Sequence, residues 1–198
     1  MTQHMLLIAV AAPALLLADP LAALLWALPA RARVGTGRLL VRGAAIRRVW
    51  QTATRMPVAW LSYAAILWLW HLPWAYEAAL GDRLLHDLEH LAFFLGAVLF
   101  WWPVVNPAPR VARPAHPLLR IVYLVTGALQ SSALGLLLAA SPSVLYPSYA
   151  ASPEPGPLSP LDDQALGGVV MWGWSAAVDM LAVILLLHRF FGDDRGVP

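Results

Sequence analysis

The sequence predicts an all-α fold, a polytopic bundle of about five transmembrane helices with the N-terminus outside and the C-terminus in the cytoplasm. Hydrophobic residues make up 60% of the 198 residues and charged residues only 12%, which gives a mean hydropathy of +0.66. A soluble domain of this length is far less apolar. The apolar residues form five runs, each close to the roughly 20 residues that cross about 30 Å of hydrocarbon. Twelve of the thirteen arginines fall on alternate connections or after the last run, and Arg83 is the exception.

The expected spans are residues 4–26, 58–74, 84–102, 118–140 and 164–188, within a single transmembrane domain, 1–198. We interpret the first as a retained span, because it opens on Met1-Thr-Gln-His and lacks the basic leader of a signal peptide. Pro13 and the Asp19-Pro20 pair are expected to kink or break this span. Its second half, residues 21–28, is then expected against the membrane interface.

The arginines set the orientation, and the chain has no lysine. Seven arginines lie between the first two spans, three between the third and fourth, and two after the fifth. The positive-inside rule therefore predicts a cytoplasmic connection at 30–56 and an extracytoplasmic one at 141–163. Anionic lipid at the inner surface accounts for the isoelectric point near 9.4, so no nucleic-acid partner is predicted.

The basic connection 30–56 contains one apolar pattern. Leu39, Ile46 and Trp50 can share one face of a short amphipathic helix that lies on the membrane surface. An irregular loop is the alternative.

Four of the six histidines, His4, His71, His86 and His90, are predicted at the outer ends of the first three spans. His86 and His90 are four residues apart, which places both rings on one helix face at a spacing suited to metal ligation. His71 ends the neighbouring antiparallel span at the same depth, and His4 opens the first span. The alternative is an interfacial belt of histidine and aromatic side chains.

Further polar and sulfur-containing residues lie on the same outer side. Asp162 or Asp163 is expected to cap the fifth span, and Gln164 to occupy its first turn. Met5 and Met171 are possible soft ligands for Cu(I). Helix capping and core packing are the alternative roles of these residues.

Small residues predict a close helix contact in the fourth span. Gly127, Ser131 and Gly135 recur every four residues and should face another helix. Gln130 beside them should hydrogen-bond another helix. Asp179, deep in the fifth span, could relay protons, orient a ligand or pair with Gln130, and the pairing is favoured.

Five sequence motifs, taken in order, resemble the cytochrome c oxidase assembly factor CtaG family, the polytopic caa3-type group. They are "TQHMLLIAVAAPALL", "LWLWHLPWAYEAAL", "HDLEHLAFFLGAVLFWWPV", "VLYPSY" and "LDDQALGGVVMW", and they run from Thr2 to about Phe190. Members are usually longer, with further membrane segments and another histidine before the "QHM" motif, so this chain is either a short variant or one whose start is placed late.

The resemblance implies a multi-pass protein of the bacterial plasma membrane that serves oxidase assembly by binding or delivering copper and is not an enzyme. Its implied partners are cytochrome c oxidase subunits or other copper-handling proteins, besides membrane lipid. Carried over by motif, the metal ligands are His4, His71, His86 and His90, with Asp163 and Gln164 nearby. Imidazole binds either copper oxidation state, so a chain without cysteine can still bind this metal.

Two alternatives use the same histidines with other cofactors. "HDLEH" matches the inverted zincin order H-x-x-E-H, which would make the protein an intramembrane zinc metalloprotease with Glu89 as the base. Histidines paired from adjacent helices could instead be the axial ligands of haem in an electron carrier.

Overall fold

The computed structural model describes residues 1–42, 44–108, 113–150 and 158–193, and all regular structure in these ranges is helical. The all-α prediction is therefore confirmed. The elements are α1 (Thr2–Leu6), a π-helical turn (Leu7–Ala11), α2 (Ala12–Leu17), α3 (Pro20–Ala27), α4 (Ala30–Arg42), α5 (Ala44–Ala53), α6 (Met56–Trp70), α7 (Pro73–Gly81), α8 (Arg83–Val105), α9 (Pro117–Ala139), α10 (Pro147–Ala150) and α11 (Pro160–Asp193).

Three helices are long and apolar enough to cross a membrane: Arg83–Val105, Pro117–Ala139 and Pro160–Gly192. They correspond to the predicted spans 84–102, 118–140 and 164–188, each with somewhat different ends. The segments Thr2–Leu17 and Met56–Trp70 are apolar but shorter. The break expected at the Asp19-Pro20 pair is present within 4–26, and the range 58–74 contains a further break, between α6 and α7. That these two segments also cross, and the orientation of the termini, stay predictions.

Prolines explain both breaks. The first break follows α2 at Ala18 and Asp19. Asp19 adopts a left-handed conformation with φ of 43° directly before Pro20. The second ends α6 at His71, because Leu72 precedes Pro73 and takes the extended conformation favoured before proline. Pro13 does not interrupt the helical segment. The π turn before α2 accommodates the proline ring, and no helical hydrogen bond is required from Pro13, which has no amide hydrogen.

Helix α8 lies at the centre of the bundle and contacts α2, the π turn, α6 and α7. Helix α9 packs on α6 and, most extensively, on α11. An aromatic stack fills the space between α6, α8 and α9: the ring centre of Phe100 lies 4.7 Å from that of Tyr63 and 4.8 Å from that of Tyr123. The Tyr123 hydroxyl donates to the Phe100 carbonyl at 2.9 Å.

The predicted small-residue stripe on α9 faces other helices, as expected. A Cβ atom on Gly135 would lie 2.9 Å from the Gly168 carbonyl oxygen of α11, and one on Gly127 would lie 2.5 Å from the Phe100 ring of α8. Ser131, between them, is buried. The helices approach this closely because these positions have little or no side chain.

The predicted pairing of Gln130 with Asp179 is wrong. The Gln130 side chain accepts from Trp68 Nε1 at 2.9 Å and donates to Ser131 Oγ at 2.9 Å, so its amide is already used. Asp179 instead lines a cavity of about 10 Å³ together with Tyr63 and Ser175.

The basic connection 30–56 is helical over most of its length, as α4 and α5. Ile46 on α5 is 49% exposed, as expected on a surface helix. The side chain of Leu39, which was predicted to share its face, lies outside the part of the chain that the structure describes. Of the predicted outer connection 141–163, residues 151–157 also lie outside it.

Candidate functional site

Three of the four predicted histidines meet at the N-terminal end of α8. His86 and His90 lie in its first two turns, and His4 reaches them from α1. The His90 ring centre is 4.4 Å from that of His86 and 4.7 Å from that of His4, and the His4 and His86 centres are 6.3 Å apart. The i, i+4 spacing places the His86 and His90 rings together. Packing of the segment Thr2–Leu17, called the first helical rod below, against α8 adds the His4 ring.

Glu89 lies buried among these rings. It is 3% exposed, and its Oε2 atom is 3.6 Å from His86 Nδ1 and 3.9 Å from His4 Nε2. Both separations exceed those of a hydrogen bond, so the carboxylate faces the two imidazoles across a gap. The Nε2 atom of His90 is also buried and has no hydrogen-bond partner among the described residues. The cluster thus contains buried polar groups that the described protein atoms leave incompletely paired.

The ring of Phe93 lies close to both His4 and His71. Phe93 is fully buried, with its ring centre 4.9 Å from that of His4 and 6.0 Å from that of His71. The Nδ1 atom of His71 lies 2.7 Å from the Leu67 carbonyl oxygen. A carbonyl only accepts, so Nδ1 carries the proton and Nε2 keeps its lone pair.

The cluster is open on one side. The His86 side chain is 41% exposed, whereas that of His4 is 12% exposed and Phe93 closes the inner side. An ion could therefore enter past His86 without unfolding of a helix.

The acidic and amide residues at the start of α11 have structural roles in this geometry. Ser159, before the helix, accepts from the Asp162 amide at 3.1 Å, so the predicted cap by Asp162 or Asp163 is wrong. Gln164 is buried, accepts from the Leu145 amide at 2.7 Å and donates to the Leu138 carbonyl at 3.3 Å. It therefore fixes the segment that follows α9.

The two methionines are buried in the hydrophobic core. Met5 is 3% exposed and Met171 is 1% exposed.

A cavity of about 290 Å³ lies between α1, α7 and α11, and Asp163, Gln164 and Tyr76 line it.

Phe93 and Tyr146 are neighbours of the site that sequence reasoning did not single out. Tyr146 is buried, donates to the His71 carbonyl at 3.1 Å and stacks on Tyr76 at 4.0 Å between ring centres. It lies in the "VLYPSY" motif, an apolar run within an otherwise proline-rich and serine-rich connection. The contrast between this motif and the surrounding connection is the sequence feature that could have indicated Tyr146.

The donor chemistry fits a first-row metal, whereas the present side-chain positions do not yet form its coordination shell. Imidazole nitrogens and one carboxylate suit copper and zinc alike. Across the described residues, no three His, Asp or Glu side chains place their donor atoms around a common point that would hold an ion. Binding therefore requires rotation of these side chains, for which the gaps beside Glu89 leave room.

The family model described as "Cytochrome c oxidase caa3 assembly factor (Caa3_CtaG)" matches residues 1–192. No curated protein and no solved structure matches the chain.

Proposed function

This chain belongs to the cytochrome c oxidase caa3 assembly factor family, and we propose that within it the protein binds copper through His4, His86 and His90 and delivers it during oxidase assembly. The observation that supports the proposal best is the meeting of three imidazole rings around a buried carboxylate. His71, which lies beside Phe93 and has Nε2 available, is the fourth proposed ligand.

Two pairs of donor atoms in the cluster lie at the separation expected of atoms that share an ion. Bonds from first-row metals to nitrogen or oxygen are about 2 Å long, so two atoms on one ion lie roughly 3–4 Å apart. The Glu89 carboxylate oxygen is 3.6 Å from His86 Nδ1 and 3.9 Å from His4 Nε2. A bound ion would also give the buried His90 Nε2 atom the partner that it lacks among the described residues.

Charge favours Cu(I) over a divalent ion at this place. The three imidazoles must be neutral to bind metal, so Glu89 is the charged group among the four. One positive charge on Cu(I) balances one carboxylate, whereas zinc would leave a net positive charge in a largely buried cluster. Uncompensated charge is expensive there.

We further propose that the cluster lies on the outer side of the bacterial plasma membrane, where oxidase subunits or other copper-handling proteins would exchange the metal. The placement of the arginines supports this side.

Metal analysis of the purified full chain tests the proposal. After incubation with Cu(I), we expect about one copper per chain in the wild type, and loss of most of it in the double variant His86→Ala, His90→Ala. His188→Ala is the matched control, because that histidine is exposed on the far part of α11. Unchanged copper binding in the double variant contradicts the proposal.

The same preparation distinguishes the alternatives. A Soret band in the optical spectrum would indicate haem. Preferential zinc loading, together with peptide cleavage that Glu89→Gln abolishes, would indicate the metalloprotease.

A further inference from the structure

A second polar cluster lies at the other end of α8, away from the histidines. A cavity of about 110 Å³ opens between the start of α6, the end of α8 and the segment before α9. Its lining includes Arg55, Met56, Trp102, Asn106 and Arg113. From His86 to Trp102 the helix rises about 24 Å, at about 1.5 Å per residue, so this cavity and the histidine cluster are separate sites.

The described lining of the cavity carries positive charge. It includes Arg55 and Arg113, both exposed, and none of the described lining residues is acidic. Neither guanidinium has a hydrogen-bond or ion-pair partner in the described part of the chain. Two unpaired arginines on one small cavity attract an anion.

Hydrogen-bond donors point to the same ligand class. Helix α6 begins at the cavity with Met56, and its N-cap residue Arg55 provides no side-chain cap. Pro57 has no amide hydrogen, so the amides of Met56 and Val58 are the ones at this end that lack intrahelical acceptors, and the helix dipole is positive here. The indole Nε1 of Trp102 is buried without an acceptor among the described residues, as is that of Trp50, whose ring lies 4.8 Å away.

We propose that this cavity binds a phosphate group, supplied by the headgroup of an anionic phospholipid. Phosphate oxygens accept from arginine in pairs and from helix N-terminal amides. Two tryptophans beside two arginines are typical of the membrane interface, where lipid phosphates lie. The bound phosphate joins the start of α6 to the end of α8, and these two helices position His71 and His86 at the opposite end.

Lipid binding to the delipidated full chain in detergent tests this. Three ligands are compared: phosphatidylglycerol, diacylglycerol, which has the tails but no phosphate, and inorganic phosphate. For each ligand the affinity is measured by native mass spectrometry and the melting temperature is measured in parallel. We expect phosphatidylglycerol to bind and raise the melting temperature, with an affinity that falls as salt increases. Diacylglycerol should do neither. An effect of inorganic phosphate as large as that of the lipid would assign the site to free phosphate instead.

Three variants separate the site from general attraction of charge. Arg55→Gln with Arg113→Gln should weaken phosphatidylglycerol binding by at least about tenfold, since two charge-assisted contacts are lost. Trp102→Phe removes part of the cavity lining while it keeps an aromatic ring against Trp50, and it should weaken binding a few-fold. Arg83→Gln, which removes one exposed charge at the other end of α8, is the control and should bind as the wild type does.

Equal binding by the wild type and the double arginine variant would overturn the proposal, as would equal binding of phosphatidylglycerol and diacylglycerol. If the double variant does not fold, the test rests on the binding of phosphatidylglycerol to Trp102→Phe and on the salt dependence of wild-type binding. Binding that changes with neither the Trp102→Phe replacement nor the salt concentration would also overturn the proposal.

Discussion

Replacement of Gly168 by alanine should destabilise the bundle, because at this glycine α11 lies directly against the backbone of α9. A Cβ atom at this position would lie 2.4 Å from the Gly135 carbonyl oxygen and 2.7 Å from the Ala139 amide nitrogen. Ordinary contact begins at 3.4 Å, so relief of the first contact requires a shift of 3.4 − 2.4 = 1.0 Å. Backbone atoms cannot rotate away as a side chain can, and the two helices must separate.

The magnitude follows from two opposing effects. Overpacking costs about 1–3 kcal/mol, and a gap of 0.5–1 Å already loses a quarter to a half of the dispersion attraction of the affected atoms, so the upper end applies. Alanine recovers about 1 kcal/mol over glycine in helix propensity. We therefore expect Gly168→Ala to lower the free energy of unfolding by about 2 kcal/mol net.

Gly173→Ala is the matched control on the same helix. Nothing lies within 4 Å of a Cβ atom at Gly173, so only the propensity effect remains and this variant should be slightly more stable than the wild type. Gly135→Ala should fall between the two, because its nearest contact would be 2.9 Å. Equilibrium unfolding in mixed detergent micelles measures all three. Equal stability of Gly168→Ala and Gly173→Ala would refute the close backbone contact.

Three further predictions concern other parts of the chain. Ser131→Leu should lower the melting temperature in detergent because Ser131 is 2% exposed and leaves no room for a larger side chain, and an unchanged value would count against its burial. Alkaline phosphatase should be active when inserted in 141–160 and inactive when fused after residue 195, and the reverse pattern would invert the orientation. Hydrogen bonds from Ser148 lower the pKa of the exposed Glu77 carboxyl below its usual 4.5. The contact to the Ser148 amide, 2.8 Å long, should therefore be present above pH 4.5 and be lost as the pH falls through that lowered pKa. The amide proton shift of Ser148 reports it, and a shift that stays constant through the acid range would show that the contact does not depend on the charge.

The long apolar helices could be predicted from the sequence because hydropathy determines them. Helices α8, α9 and α11 lie where the runs predict them, with shifts of a few residues at most ends. The end of α6 was missed although its signal was present: Leu72 precedes Pro73, and a residue before proline avoids helical geometry. The span 58–74 was predicted from its average hydropathy, which does not detect this local steric effect.

The candidate site could be predicted only as far as helix periodicity and motifs reach. Proximity of His86 and His90 follows from their spacing, and the family motif indicated His4. The proximity of the Phe93 ring to both His4 and His71 could not be predicted, because it depends on how α6 and α8 are rotated about their axes. Packing of many side chains determines that rotation. The Gln130 contact to Trp68 has the same origin.

The direction of the first helical rod, Thr2–Leu17, bears on both the topology and the site. Its start contacts the start of α8 through His4 and His90, and just after its end the Asp19 carboxylate accepts from the Ala108 amide at 3.0 Å, beyond the end of α8. The rod and α8 therefore run in the same direction.

Helix α6 runs in the opposite direction to α8, since contacts pair Tyr63 with Phe100 and His71 with Phe93. With only about 22 Å of length at 1.5 Å per residue, α6 is short for a span. A chain whose first and third segments are parallel nevertheless requires the second to return through the same layer, which favours a crossing by α6. It follows that His4, His86 and His90 share one side of the membrane whichever way the bundle is inserted. An inverted result from the phosphatase fusions would move the proposed copper site to the cytoplasmic side without separating its ligands.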